Sequence, residues 1–381
     1  MPAEQFRSDP HKLIRQAFAR FVAEEVAPVA AEVDATAAFP RELFQKVAKM
    51  NAFRIRYPKG KGGAGGNNTL YCIMVEELAK GLVSLAAIAA KQCLMATNML
   101  FHYGAPALKE KYFEPAMRGE MVGSFCLTEP EAASDLGGVR TTAAKDGDSW
   151  IINGMKTWIT NGPVADFFTV LCQTNPEAGI RGLNFFFVPR DIGGVKTSPK
   201  FETLGTRTTE ISEVAFNEVR IPADYILGIE GKGLKALLSI LAEIRSMTAA
   251  LALGLAKAAY QASFDYGKER AQFGKTINKY QLIQAKIADM ATEIWAAELM
   301  LYQTTGMIDR GEECGAQSMM LKYFATEVAC KCCDEATRVM GSYSYAMEYP
   351  VQRFYRDSRF LLYGGGTHEI LRQNIARGLG F

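Results

Sequence analysis

The sequence predicts an α+β multidomain chain: an N-terminal α-helical domain, a middle β-barrel or sandwich domain, and a C-terminal four-helix bundle. Three observations lead there. Apolar residues recur at three- and four-residue spacing over residues 1–119 and again after Gly228. Between these stretches lie short β-branched and aromatic runs, cut by Gly, Asp, Asn and Pro. And 381 residues exceed the usual size of one domain. The expected domains are 1–119, 120–228 and 229–381.

In the first domain, "DPHKLIRQAFARFVAEEVAPVAAEVD" (9–34) reads as helix, and Pro40 opens a second one, "RELFQKVAKM". "YPKGKGGAGGNN" (57–68) is a glycine-rich loop without the GK[ST] ending of a phosphate loop. Helices resume with "LYCIMVEELAKG" and "NMLFHYG". The β domain carries "MVGSFCLTEPE", "VRTTAAKDGDSWIINGMKTWITN", "DFFTVLCQT", "GLNFFFVPR" and "SEVAFNEVRIP", with a hairpin at "KDGDSWIING". The bundle reads as three long helices, 233–271, 280–309 and 315–340, then a short one over 367–379. Long helices on short links imply antiparallel packing.

Composition narrows the function. The formal charge is +2, with both signs interspersed. No basic face stands out, which argues against a nucleic-acid partner. The N-terminus lacks a signal peptide pattern. No apolar run approaches the ~20 residues of a membrane span. The eight cysteines lack paired metal spacing, so they read as reduced thiols of a cytoplasmic protein, with no metal. "CKCC" (330–333) reads as buried helix cysteines.

Five motifs then appear in one order. They are "FCLTEPEAASDLGGVRT" (125–141), "KTWITN" (156–161), "LGTRTTEISEVAFNEVRIP" (204–222), "ERAQFGKTINKYQLIQAKIADM" (269–290) and "RFYRDSR" (353–359). Together they resemble the acyl-CoA dehydrogenase family of FAD flavoproteins. The resemblance implies a homotetramer that interconverts a saturated acyl-CoA and its α,β-unsaturated form, with an electron-transfer flavoprotein as redox partner. It places Phe125, Leu127, Thr128 and Ser134 against flavin and acyl-CoA. It places Trp158 and Thr160 on the isoalloxazine. Arg270, Phe273 and Gln281 would grip the FAD of an adjacent subunit, and Thr367 and Glu369 would lie near its diphosphate and adenine end. An Arg suits a diphosphate because its planar fork matches phosphate oxygens. Taken singly, Trp158 reads as a core aromatic, Arg270 as a solvated helix residue, and Thr128 and Thr160 as ordinary strand threonines.

The same resemblance poses a problem. The family's base is a Glu just before the C-terminal "GT", or a Glu just before an Arg on the first bundle helix. Here those positions are Gly365 and Ile244, the latter before Arg245, a candidate substrate residue. Glu243 is the tentative base, but it lies one residue back, about 100° round a helix. It reaches the site only if the helix has a local bulge or shift, and π-bulges occur at functional sites. Otherwise it sits on a solvated or subunit-facing side, and the base comes from elsewhere or is absent. Gly365 keeps a backbone N–H for the thioester carbonyl. Without a base, a non-redox lyase resembling the family's desulfinases is the alternative, or a catalytically silent member. The family's "QxxGGxGY" turn appears as "RVMGSYSY" (338–345), with Arg338 and Gly341 as FAD contacts. His368 reads equally as a ligand-facing residue or as a surface or interface residue. Lys91 is in position to meet a negative acyl tail, against the commoner reading of a helix-surface lysine.

Overall fold

The computed structural model describes residues 9–381. The first helical stretch contains α1 (Asp9–Phe21), α2 (Ala30–Thr36), α3 (Arg41–Lys49), α4 (Asn68–Gly81), α5 (Val83–Lys91), α6 (Asn98–Tyr103), α7 (Pro106–Leu108) and α8 (Glu114–Met117). The run expected as one helix over 9–34 is broken. A π turn at Val22–Val26 and a 3-10 turn at Ala27–Val29 separate α1 from α2. Pro28 has no N–H to continue the α ladder.

The β unit is one eight-stranded mixed sheet: β1 (Gly123–Cys126), β2 (Thr142–Asp146), β3 (Ser149–Ile159), β4 (Phe167–Gln173), β5 (Leu183–Pro189), β6 (Val195–Thr197), β7 (Ser212–Pro222) and β8 (Ile226–Leu227). The order is β6-β7-β3-β2-β4-β5-β8, with β1 pairing parallel to β4. The expected hairpin closes β2 on β3, Asp146 opposite Ser149. Side chains on a strand alternate faces. On β4, Phe167 and Leu171 therefore join the core shared with the helices, while Phe168, Val170 and Cys172 join a second core inside the β unit with Trp150, Phe186 and Phe216. This two-faced burial explains why "FFTVLC" is apolar but for Thr169, whose buried hydroxyl donates to the Ala96 carbonyl at 3.2 Å.

The bundle contains α9 (Gly233–Glu269), a small hairpin of β9 (Ala271–Gln272) and β10 (Lys275–Thr276), α10 (Gln281–Asp309), α11 (Gly315–Met340), α12 (Pro350–Ser358) and α13 (His368–Gly378). α12, which covers most of "RFYRDSR", was not expected as a helix. α9 packs against α11, α10 and α4, which joins the two helical regions into one core. Two segments, Val83–Tyr103 and Gly233–Glu269, are long and apolar enough to cross a membrane by length and composition, contrary to the expectation. Both are mostly buried within the fold, as core helices are.

Two of the motifs meet where the β unit joins the bundle. Gly205 lies so close to α12 that a Cβ there would stand 2.4 Å from the Arg356 carbonyl oxygen. The Thr206 N–H donates to Asp357 Oδ1 at 2.6 Å. Arg356 pairs with Asp34 and donates to the Leu204 carbonyl at 3.1 Å. Those residues hold domains together.

Candidate active site

The "TEP" segment is fixed from beneath. Lys156 is fully buried and pairs with Glu129 at 2.7 Å. It also donates to the Leu127 carbonyl at 3.1 Å. Glu129 accepts the N–H groups of Arg140 and Thr141, at 2.7 and 3.0 Å. The Thr157 N–H donates to the Thr128 carbonyl at 2.9 Å. A buried ion pair is favourable only when its remaining lone pairs are satisfied, and here they are. Glu129 and Lys156 carried no role in the sequence reading. Their contact spans 27 residues, so local pattern gives no signal for it.

Above this anchor sits Trp158. It is 61% exposed and held at φ +58°. A bulky side chain in the left-handed region is an uncommon, costly conformation that clusters at ligand sites. Its ring meets Phe201 edge-on at 5.0 Å and is otherwise open. Trp158 is therefore not the core aromatic it resembles when read alone. Thr160 is buried, and its carbonyl accepts from Ser124 Oγ at 2.6 Å. Its Oγ1 accepts from Lys91 Nζ at 2.5 Å. Lys91 is thus no surface lysine. Burial alone pulls its pKa down to about 8. Phe125 is half-buried and packs on Phe185 at 5.4 Å.

Ser134, Thr367 and Glu369 line one open cavity of about 430 Å³ with Ile370 and Gln373. Thr367 caps α13, and its side chain accepts from the Ile370 N–H. The start of that helix and the end of the "TEPEAAS" loop are brought together here. His368 turns away: its Nε2 contacts Thr326 Oγ1 at 2.8 Å and its Nδ1 contacts Glu327 Oε1 at 2.8 Å. It is buried against α11, so neither the ligand-facing nor the surface reading holds.

The glycine loop 364–366 lies against α9. Gly365 has φ +73°. A Cβ there would stand 3.1 Å from Thr248 Oγ1 and 3.8 Å from Ile244 Cγ2. The two positions in question thus face each other, and neither carries an acid. Lys322 of α11 holds the loop, donating to the carbonyls of Leu362 at 3.1 Å and Gly366 at 2.8 Å. The Gly365 N–H donates to no backbone carbonyl of the described residues.

Glu243 is not at this junction. α9 runs without a π-bulge from Gly233 to Glu269. Glu243 instead forms an ion pair with Arg56, whose guanidinium also stacks near Tyr57 and Tyr71. Burial raises the Glu243 pKa, with Arg56 pulling it the other way. Neither a bulge nor a solvated surface describes it. Arg245, its near neighbour, reaches Ser318 at 3.4 Å, and its buried Nε has no hydrogen-bond partner among the described residues.

The remaining candidates stand apart from this cluster. Arg270 lies over the Tyr343 ring at 5.5 Å. Phe273, at φ +51° and 94% exposed, occupies the tip of the β9–β10 hairpin before Gly274. Gln281 opens α10 and is exposed. Arg338 is exposed and pairs with Asp334 at 2.7 Å, and Gly341 ends α11 at φ +60°. Cys330, Cys332 and Cys333 are buried on α11.

Comparison with known proteins gives the same architecture. The acyl-CoA dehydrogenase N-terminal, middle and C-terminal domain families match residues 8–120, 124–219 and 231–380. The chain is 44% identical to a benzylmalonyl-CoA dehydrogenase of Aromatoleum aromaticum, over 97% of this chain and 98% of that one. It superposes on butyryl-CoA dehydrogenase from Megasphaera elsdenii with a TM-score of 0.95 at 32% identity, covering 98% and 99% of the two chains. A glutaryl-CoA dehydrogenase of Mycobacterium smegmatis, solved with FADH2, gives a TM-score of 0.93 at 28% identity, covering 99% and 96%. The chain therefore belongs to the acyl-CoA dehydrogenase family, whose members are FAD-dependent oxidoreductases acting on CH–CH bonds.

Proposed function

We propose that this protein oxidises the Cα–Cβ bond of a CoA thioester to the α,β-unsaturated thioester and passes the electrons to an electron-transfer flavoprotein. FAD supplies the hydride acceptor. The observation that carries the reading is Trp158, strained and exposed beside Thr160 on a segment locked by a buried ion pair. The positive φ belongs to a bulge of β3 against β7 between Lys156 and Ile159, and bulges re-aim side chains beside active sites; this one leaves the indole exposed for a planar ring ligand.

In this reading Phe125, Leu127, Thr128, Trp158 and Thr160 hold the flavin ring. Ser134, Thr367 and Glu369 border its diphosphate side, where the N-terminus of α13 favours negative charge. The Gly365 N–H stabilises charge developing on the thioester oxygen. Arg270, Phe273, Gln281, Arg338 and Gly341 serve a neighbouring subunit of a homotetramer. Phe273, presented at a hairpin tip and almost wholly exposed, supports that assembly. A cytoplasmic location fits eight buried, unbridged thiols.

The junction of Gly365 and Ile244, which lacks a carboxyl, also favours a second reading, non-redox elimination from an acyl-CoA. Anaerobic titration of the flavin-loaded protein with CoA thioesters separates the two. Bleaching of the oxidised flavin band supports the redox reading. Binding of the thioesters with no bleaching by any of them supports elimination.

A further inference from the structure

An acyl thioester becomes α,β-unsaturated only if Cα gives up a substituent without its bonding electrons while Cβ gives up a hydride. When that substituent is a proton, a base must receive it. The groups around Gly365 are Ile244, Thr248 and the glycine backbone. Glu243 is committed to Arg56. Two neighbouring cations stand on this side, Lys322 and Arg245, and the acids near Lys322 are Glu327, held by His368, and Glu369, at the start of α13. Lys322 is spent on two loop carbonyls. Arg245, on α9 one residue after Ile244, has a buried Nε with no acceptor. Burial pulls its pKa down, and no carboxylate offsets this. Lys91 adds a second cation with no acidic partner among the described residues. Leaving buried guanidinium and ammonium groups uncompensated is costly, and a ligand carboxylate removes that cost.

We propose that the substrate carries a carboxylate on Cα, making it a substituted malonyl thioester, that Arg245 receives this carboxylate, and that loss of CO2 takes the place of proton abstraction. The inference rests on the redox reading above. The Cα–carboxylate bond breaks, CO2 leaves, and the electron pair stays on Cα. That pair forms the Cα–Cβ double bond as the β-hydride departs to the oxidised flavin. The organic product is the enoyl thioester, and the two electrons end on the flavin. While the charge passes through the thioester oxygen, the Gly365 N–H is placed to hold it. The relative bearing the benzylmalonyl-CoA name points the same way, since a malonyl thioester has its free carboxylate on Cα.

Two experiments test this on the flavin-loaded protein. Benzylmalonyl-CoA labelled with ¹³C in its free carboxyl is mixed anaerobically with the protein, and labelled CO2 is compared with flavin reduced. The expected ratio is about one, with bleaching at least about 100-fold faster than by 3-phenylpropanoyl-CoA, whose α-proton has no acceptor. Equal or faster bleaching by 3-phenylpropanoyl-CoA overturns the inference. Bleaching by neither overturns the redox reading instead. The second experiment does not depend on turnover. Malonyl-CoA and acetyl-CoA have no β-hydrogen and cannot give up a hydride. Malonyl-CoA is expected to bind about tenfold more tightly or better, the scale of one charge-assisted pair. Arg245→Gln abolishes that preference and Arg245→Lys keeps part of it. A preference unchanged in Arg245→Gln, or absent in the unaltered protein, overturns the assignment of Arg245.

Discussion

Glu243 and Arg56 form an ion pair inside the chain, one residue away in sequence from Ile244, which faces Gly365. The nearest acid in sequence to the reacting position is therefore bound to a structural partner. Glu243→Gln is expected to leave the rate of flavin reduction within about threefold of the unaltered protein, because Gln keeps the shape and α9 needs no proton acceptor there. The same change leaves Arg56 without its counter-charge and lowers unfolding stability by roughly 3 kcal/mol. Stopped-flow reduction and urea denaturation read the two effects separately.

Lys91 gives a pH-dependent prediction. Its pKa in the folded protein is pulled from 10.5 to about 8 by burial. Between those values the unfolded chain binds more protons than the folded one, so this group makes stability rise with pH across that window. Below pH 8 its burial costs a few kcal/mol, at about 1.4 kcal/mol per pKa unit. Lys91→Met is expected to be more stable than the unaltered protein at pH 7, with the advantage shrinking toward pH 10. Urea midpoints at the two pH values check it. A constant difference means Lys91 does not titrate in that range.

Lys156 is the support beneath the flavin-side segment. Lys156→Met leaves Glu129 buried without its cation and is expected to cost roughly 3–5 kcal/mol. The double change Lys156→Met with Glu129→Gln recovers part of that loss, because no lone charge is left behind. Flavin affinity falls with the single change, measured by equilibrium dialysis against free FAD.

Gly365 stands in the left-handed region with Thr248 Oγ1 close by. Gly365→Ala forces a Cβ into both constraints and is expected to cost about 1–2 kcal/mol. Gly365→Ala with Thr248→Ala keeps the backbone strain but removes the Oγ1 contact, so thermal denaturation apportions the two contributions.

The architecture was legible in the sequence because its long elements carry strong periods. α11 begins and ends at the residues its apolar pattern and flanking glycines mark, Gly315 and Met340. The β2–β3 turn was legible from "DGD" between alternating runs. Pro28 was visible, yet the break it makes between α1 and α2 was not read. α12 escaped because "VQRFYRDS" is short and largely polar, and its helix is fixed by contacts to Thr206 and Leu204 rather than by propensity. At the site, the absence of a carboxyl at Gly365 and Ile244 was legible by position. That Glu243 belongs to Arg56, 187 residues earlier, and that Lys91 faces Thr160, 69 residues later, was not. Such pairings depend on how separate elements dock, which no local pattern encodes.

Among the described residues, no carboxyl or imidazole stands at the junction of Gly365 with Ile244 and Thr248 to take a proton from Cα. Incubating the oxidised, flavin-loaded protein with acetyl-CoA in heavy water tests it directly, since acetyl-CoA offers α-hydrogens and no hydride. Mass spectrometry of the recovered thioester is predicted to show no deuterium at Cα beyond the protein-free rate. Deuterium entering Cα quickly, and ceasing to enter in Glu243→Gln, would contradict the account and make Glu243 the base.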